Sequence, residues 1–257
     1  MCDHYLGQIL DLMDEYDMWK DTMLVVSTDH GYLLGEHDWW AKLRMPIYQE
    51  IGHIPLFVHH PDHADQAGQR RSALTQTPDL MPTFLESFGC EVPAPVRAAS
   101  LLPCLSDASA TLHDVVLFGY YGGAIHATDG HHVYFRYPPD MVDQTLYQYT
   151  LMPSHLKGSF SLEELAGAEM VRDLDWANGY PVMRIPVVKE SPWHKTHGLS
   201  RMVDHPTTLF DIVADPLQQT PVEDAELHRR FERSMCAAMK HQQAPPEAYA
   251  RLDLTAP

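Results

Sequence analysis

The feature that most constrains the fold is an apolar, β-branched run that ends abruptly in polar residues. Residues 22–28 read TMLVVST, and Asp29, His30 and Gly31 follow directly. Apolar residues without alternation are typical of a strand that is covered on both faces of an α/β sheet. Sheets of this kind carry their functional groups at the carboxyl ends of the strands. We therefore expect a buried strand that presents Asp29 and His30 at its end.

The segments around this strand favour an α/β layer. Residues 3–16 have apolar side chains at helical spacing, with Asp3 as the expected N-cap. This helix and the strand after it would form half of a βαβ unit. Residues 54–59 predict a second buried strand and residues 77–89 another helix. A chain that opens on a crossover helix is expected to be truncated.

The character of the chain changes near residue 110, where we predict a small C-terminal α+β subdomain. Its expected elements are an antiparallel sheet and a terminal amphipathic helix, residues 225–240. Asp129-Gly130 between two strand-like runs is a hairpin signal. The predicted strands and one short helix are residues 115–119, 124–128, 132–137 and 208–212, and residues 161–170. The predicted domains are therefore residues 1–108, the α/β part, and residues 109–257.

The formal net charge of −17 disfavours binding to nucleic acid or to an anionic membrane. An anionic substrate would need local cations against this background. No run of apolar residues is long enough for a membrane span, and no signal peptide is visible at the start. These features predict a cytoplasmic protein if the chain is complete.

Asp29, His30 and Lys42 are the candidate chemical groups. A hard divalent cation prefers oxygen ligands and tolerates an imidazole, so Asp29 and His30 could bind a metal. Lys42 follows His30 by twelve positions and could bind an anion. Simpler roles stay open, because Asp29 could cap the next segment and Lys42 could lie over the neighbouring tryptophans.

The other histidines are weaker candidates. His37 lies in the compact loop between His30 and Lys42, and His126 lies in a predicted strand that faces a glycine-rich turn. Each could contact the substrate directly, or could instead contact and orient the residues that do. His131 and His132 follow the hairpin turn, and we expect them to be exposed.

Several stretches together resemble the sulfatase family of the alkaline-phosphatase-like superfamily. The resemblance is closest to the branch that has Asp-His-Gly at the strand end, which includes enzymes similar to iduronate-2-sulfatase and phosphonate monoester hydrolases. It covers most of residues 3–105 and about 205–240. The stretches are TMLVVSTDHGYLLGEH with DWWAK, HIPLFVHHP, TPDLMPTFLESFG, SLLPCL and TTLFDIVADPLQQ.

The resemblance implies part of an alkaline-phosphatase-like α/β/α sandwich that hydrolyses a sulfate ester. By position, Asp29 and His30 match calcium ligands of the family, and Lys42 matches the lysine that contacts the sulfate. The family also uses a formylglycine made from the cysteine of a Cys-x-Pro-x-Arg or Cys-x-Ala-x-Arg motif. No such motif follows any of the four cysteines, which are Cys2, Cys90, Cys104 and Cys236.

The sequence therefore resembles the C-terminal half of a sulfatase without its nucleophile, expected to be inactive alone. The implied partners are a small-molecule sulfate ester and either a missing N-terminal half or a second copy paired at an open sheet edge. Two alternatives stay open. One is a phosphonate or phosphate ester hydrolase of the same superfamily, and the other is a non-catalytic sulfatase-like binding protein.

Overall fold

The computed structural model describes residues 1–42, 44–152, 154–189 and 203–257. Its helices are α1 Cys2–Glu15, α2 Gln49–Gly52, α3 Leu80–Ser87, α4 Leu102–Ser106, α5 Leu162–Ala166, α6 Ala225–His241 and α7 Pro246–Ala250. Its strands are β1 Leu24–Ser27, β2 Leu33–Leu34, β3 Trp40–Ala41, β4 Leu56–His59, β5 Val116–Gly119, β6 Ile125–Thr128, β7 His132–Arg136, β8 Tyr147–Thr150, β9 Glu169–Val171, β10 Val182–Pro186 and β11 Thr208–Asp211. None of the helices in these ranges is long and apolar enough to cross a membrane.

The two predicted apolar strands exist, but the prediction that they are buried on both faces is wrong. Strand β1 pairs with β4 in an antiparallel two-stranded sheet, in which Val25 lies opposite Val58. No residue of either strand is fully buried, and Phe57 is 67% exposed. Helix α1 gives little cover, because Met13 is its only buried residue. An apolar run can thus form a half-exposed strand when few elements pack against it.

The predicted C-terminal sheet is confirmed. Its four strands have the order β11-β7-β6-β5, and every neighbouring pair is antiparallel. The turn between β6 and β7 contains Asp129 and Gly130, and Gly130 has a φ of +84° that glycine adopts without steric cost. Hairpin chemistry in the sequence therefore located this sheet correctly.

The four-stranded sheet is covered on both faces, which explains why the three middle residues of its inner strand β7 are apolar and buried. Val133 and Phe135 of β7 face one cluster, whereas Tyr134 between them faces the other, as the two-residue period of a strand requires. On the Tyr134 side the sheet packs against the apolar stripe of α6, formed by Phe231, Met235 and Met239.

On the opposite face the sheet packs against the segment that carries the candidate site. The cluster contains Leu33, Ile47, Tyr48 and Ile51 together with the β7 residues of that face and Phe210 of β11. This core joins residues on both sides of position 108, so the site-bearing segment is fixed to the C-terminal sheet. The division of the chain at residue 108 stays a prediction.

Two helix predictions differ from the structure in detail, and one helix stop agrees with it. Helix α1 begins at Cys2 with Met1 as its N-cap, two residues before the expected cap Asp3. Residues 161–170 form a helix only in their first half, where Ser161 and Glu164 make a capping box. The second half contributes β9, which pairs with β10, so tertiary pairing outweighs the helical pattern there. Helix α3 ends near Gly89, whose φ is +67° as predicted for a stop.

Candidate functional site

Asp29 and His30 lie directly after β1 and turn toward each other. His30 Nε2 is 3.2 Å from Asp29 Oδ2, and the His30 backbone N–H donates to Asp29 Oδ1 at 3.0 Å. On the other side of the ring, His30 Nδ1 is 2.9 Å from the Gly31 carbonyl oxygen. A carbonyl oxygen can only accept, so Nδ1 carries the hydrogen in this contact. The other ring nitrogen, Nε2, faces the Asp29 carboxylate.

The Lys42 ammonium interacts with both groups. It donates to His30 Nε2 and attracts Asp29 electrostatically. Desolvation raises the pKa of Asp29, but His30, backbone N–H groups and Lys42 together outweigh it and lower the pKa. Asp29 is thus held as a carboxylate, and its side chain is 82% exposed and open to a ligand.

Lys42 returns to His30 because the intervening residues form a hairpin. Leu33 of β2 lies opposite Ala41 of β3, so the chain has reversed direction when it reaches Lys42. The turn uses left-handed backbone at Gly35, and Ala41 has a φ of +84° immediately before the lysine. A non-glycine residue in this region costs about 1–3 kcal/mol and is typical of functional segments. The twelve positions between His30 and Lys42 are therefore spanned by a hairpin that brings the two side chains together.

Gly31 holds the end of the strand against α2. Its N–H donates to the Ile51 carbonyl at 2.9 Å. A Cβ at this position would lie 1.7 Å from the Glu50 carbonyl oxygen. The Asp-His-Gly sequence thus has its glycine because two backbone segments meet there. Sequence reasoning did not find the role of Glu50, since nothing local connects it to Gly31.

His37 lies on the core side of the hairpin. Its ring stacks on Tyr48 with 3.6 Å between centroids, and its Nε2 is 3.4 Å from Glu50 Oε2. Both atoms are buried and form no hydrogen bond within the described ranges. The side chain is only 12% exposed. Its described contacts, with Tyr48 and Glu50, join the hairpin to α2 and do not include Asp29, His30 or Lys42.

His126 is a core residue. It is 1% exposed, and its ring lies between Phe118 and Phe135, with centroid distances of 5.2 and 4.3 Å. The backbone N–H of Ile47 donates to His126 Nε2 at 3.3 Å. Burial lowers the pKa of His126 to about 3, so the ring is neutral. This buried position does not favour a direct contact between His126 and a substrate. It favours a structural role, in which His126 holds the segment that follows Lys42.

The structure therefore brings together three of the five predicted site residues. The side chains of Asp29, His30 and Lys42 meet after the end of β1. His37 and His126 instead contact Tyr48 and Ile47, in the segment that packs on the four-stranded sheet. One carboxylate oxygen and one imidazole nitrogen 3.2 Å apart can serve as neighbouring ligands of one divalent cation. They fit such an ion as a partial donor set, because calcium takes six to eight ligands.

Comparison with known proteins places these residues in context. Residues 35–137 match the family described as "N-sulphoglucosamine sulphohydrolase, C-terminal". The matched segment includes Lys42 and the β5–β7 strands. An N-acetylglucosamine-6-O-sulfatase from Bacteroides thetaiotaomicron is 35% identical over 119 residues, which are 46% of this chain and 21% of the relative. Arylsulfatase K from Xenopus laevis is 35% identical over 107 residues, 42% of this chain and 19% of the relative.

Another relative has a broader description. A multifunctional alkaline phosphatase superfamily protein, PehA from Trinickia caryophylli, is 34% identical over 105 residues, 41% of this chain and 20% of the relative. In all three cases the aligned part is about a fifth of the relative's length.

Solved structures extend the likeness to almost the whole chain. A protein solved in complex with its substrate D-glucosamine-2-N,6-O-disulfate superposes with a TM-score of 0.59 at 19% identity, over 95% of this chain and 40% of that chain. A structure from work on glycosaminoglycan metabolism by Bacteroides thetaiotaomicron gives a TM-score of 0.60 at 17% identity, over 98% of this chain and 43% of that chain. These likenesses show the alkaline-phosphatase-like α/β fold predicted from the sequence.

Proposed function

We propose that the chain is part of a sulfatase-type protein, which the family match over residues 35–137 supports, and that it contributes one side of a site that hydrolyses sulfate esters. The convergence of Asp29 Oδ2, His30 Nε2 and Lys42 Nζ at the end of β1 carries the proposal. An exposed carboxylate, an imidazole and an ammonium group form a site where a cation and an anionic ester can be bound together.

We infer separate tasks for the three groups. Asp29 and His30 would hold a divalent cation, with Ca²⁺ favoured by the family resemblance. When bound, such an ion would neutralise charge on the sulfuryl oxygens. Lys42 would move from His30 to an ester oxygen, because an ammonium group is a strong donor to an anion and cannot remain beside a divalent cation at low cost.

His37 and His126 would act as positioning residues in this proposal. His37 fixes the hairpin through Tyr48, and His126 fixes the segment after Lys42 through the N–H of Ile47. Each is buried in the core that joins the site to the four-stranded sheet. We therefore assign neither of them a contact with the reacting ester.

The proposed substrate is a small-molecule sulfate ester. Both sulfatases reported above share sequence with this chain, and the first acts on a 6-O-sulfated N-acetylglucosamine by its name. The chain covers less than half of its solved relatives, and its sequence has no formylglycine motif. The remaining ligands and the nucleophile would come from residues outside this sequence, so the 257-residue chain alone should show no turnover.

A calcium titration followed by backbone amide NMR tests the cation site. We expect amides of residues 29–31 and 42 to shift with a dissociation constant in the millimolar range, because about two protein ligands give weak affinity. Asp29→Asn should abolish these shifts. Asp38→Asn is the matched control, since Asp38 is an exposed carboxylate of the same hairpin. Unchanged binding by Asp29→Asn, or equal loss in both variants, would contradict the proposal.

A second candidate is hydrolysis of a phosphate or phosphonate ester. The likeness to the multifunctional alkaline phosphatase superfamily protein favours it, because that likeness has almost the same identity and length as those to the sulfatases. A site with a divalent cation and an ammonium group suits either anion. Competition of sulfate and methylphosphonate for the calcium-loaded chain separates the two, with amide shifts near Lys42 as the readout.

A further inference from the structure

A cluster of metal-ligating side chains lies at one end of the four-stranded sheet, on elements other than those of the Asp29 site. His131, His132 and Asp211 each place one ligand atom so that all three atoms lie within 4.8 Å of one another. Asp211 ends β11 and lies directly opposite His132, the first residue of β7. The register of the sheet therefore sets this pair.

A backbone hydrogen bond also holds His131 beside β11. The Ile212 N–H donates to the His131 carbonyl at 2.9 Å, which continues the ladder beyond Asp211. Successive residues of a regular strand face opposite sides, so His131 and His132 could not converge inside one. They converge here because His131 belongs to the turn that contains Gly130, and their ring centroids are 4.5 Å apart.

Backbone hydrogen bonds orient the Asp211 carboxylate and leave one of its oxygens available to a metal. Asp211 Oδ1 accepts from the N–H groups of Val213 and Ala214 at 2.9 and 2.8 Å, so Oδ2 remains to face His131 Nε2 at 3.3 Å. A carboxylate with one oxygen fixed by backbone donors has little freedom to lose on binding an ion.

An outer carboxylate supports the two histidines. Asp129 Oδ1 accepts from the backbone N–H groups of His131 and His132 at 2.9 and 2.7 Å. Asp129 Oδ2 binds Arg230 and lies 3.5 Å from His132 Nδ1. That nitrogen is buried and forms no hydrogen bond within the described part of the chain. Carboxylates beside ligating histidines are a regular feature of metal sites, because they orient the ring.

The donor set favours a transition metal. Two imidazoles and one carboxylate are typical ligands of Zn²⁺, whereas Ca²⁺ prefers oxygen ligands. Bonds of 2.0–2.2 Å in a tetrahedral site separate the ligand atoms by about 3.3 Å. The ligand atoms of the three residues, now up to 4.8 Å apart, must therefore move closer together when a metal binds. The His131 side chain can make this movement, because it is 55% exposed.

We propose that His131, His132 and Asp211 form a binding site for Zn²⁺ or a similar divalent transition metal, which would join β7 to β11. The fourth position would be open to water. The proposal is independent of the cation site at Asp29, because it uses different residues and a different class of metal.

The test is a titration of the chelator-treated full chain with ZnCl₂, followed by calorimetry and by thermal unfolding. We expect one equivalent to bind and to raise Tm. Asp211→Asn keeps the Oδ1 acceptor, so it should weaken the dissociation constant for Zn²⁺ at least tenfold while the metal-free Tm stays near that of the wild type. His131→Asn should do the same.

His63→Asn is the matched control, because His63 belongs to another histidine-rich segment and should leave the affinity unchanged. Substitution with Co²⁺ gives a second readout, since visible absorption bands of tetrahedral Co²⁺ should appear in the wild type and disappear in Asp211→Asn. The proposal is overturned by no Zn²⁺ binding below millimolar concentration, by equal affinity in the wild type and Asp211→Asn, or by equal loss in His63→Asn.

Discussion

Replacing Gly31 with alanine tests how the end of β1 is held in place. The new Cβ would lie 1.7 Å from the Glu50 carbonyl oxygen and 2.8 Å from the Glu50 carbonyl carbon. Both are backbone atoms and cannot rotate away, so either α2 or the strand end must move. The hydrogen bond from the Gly31 N–H to the Ile51 carbonyl would then be stretched or lost.

The magnitude follows from these two effects. Inserting a methyl group into a closed contact costs about 1–3 kcal/mol, and the loss of one buried backbone hydrogen bond adds about 1 kcal/mol. We therefore expect Gly31→Ala to lower the free energy of unfolding by about 2–4 kcal/mol. For a chain of this length, that change lowers Tm by roughly 5–15 °C.

Urea denaturation and thermal melts followed by circular dichroism measure the effect. Gly7→Ala is the matched control, because Gly7 lies in α1 and no heavy atom approaches within 4 Å of its added Cβ. In a helix this change should be neutral or stabilise by up to about 1 kcal/mol. A Gly31→Ala melt within about 1 °C of the wild type, a shift worth well under 1 kcal/mol, would refute the close approach of the two segments.

Two further perturbations and one assay follow from the packing and from the sequence. Burial lowers the pKa of His126 to about 3. As the pH falls below about 6.5, the unfolded chain therefore binds a proton at this histidine that the folded chain does not. The free energy of unfolding should decrease by about 1 kcal/mol for each pH unit of acidification between about pH 6.5 and 3. His126→Phe should flatten this slope in urea denaturation at pH 7, 6 and 5, and an unchanged slope would contradict the burial of a neutral ring. Arg136→Met should destabilise by about 1–3 kcal/mol, because it breaks the 2.7 Å ion pair with Glu232, whereas Arg229→Met at an exposed pair should cost less than about 1 kcal/mol. Finally, the purified chain should not hydrolyse a generic aryl sulfate, and turnover that Lys42→Met abolishes would show that the chain holds a complete site.

Local sequence signals predicted the elements that depend on neighbours in the chain. The hairpin at Asp129-Gly130, the short helix α5 and the apolar stripe of α6 are each specified within a few residues. The convergence of Lys42 on His30 was also within reach, because a short hairpin closes that distance. These features need little knowledge of the rest of the fold.

Contacts between distant segments were not predictable in the same way. The exposure of β1 depends on what packs against it, and an apolar run carries no such information. His126 has the local sequence of a half-exposed hairpin, yet the site-bearing segment covers the face on which it lies. The grouping of His131 with Asp211 depends on a strand pairing across 80 positions. The only signal for it was a pair of histidines beside a turn.

The central claim is that Asp29, His30 and Lys42 share one cation position. If Lys42 now occupies that position, removing its charge should strengthen the binding of Ca²⁺. Two unit charges 4 Å apart repel by about 1 kcal/mol in water, a divalent ion doubles this repulsion, and rotation of the lysine relieves part of it, so we expect about a 3- to 10-fold gain in affinity. The decisive measurement is the dissociation constant for Ca²⁺ of Lys42→Met beside that of the wild type, from the amide shifts of residues 29–31. Tighter binding is the predicted result, and equal or weaker binding would contradict a shared cation position.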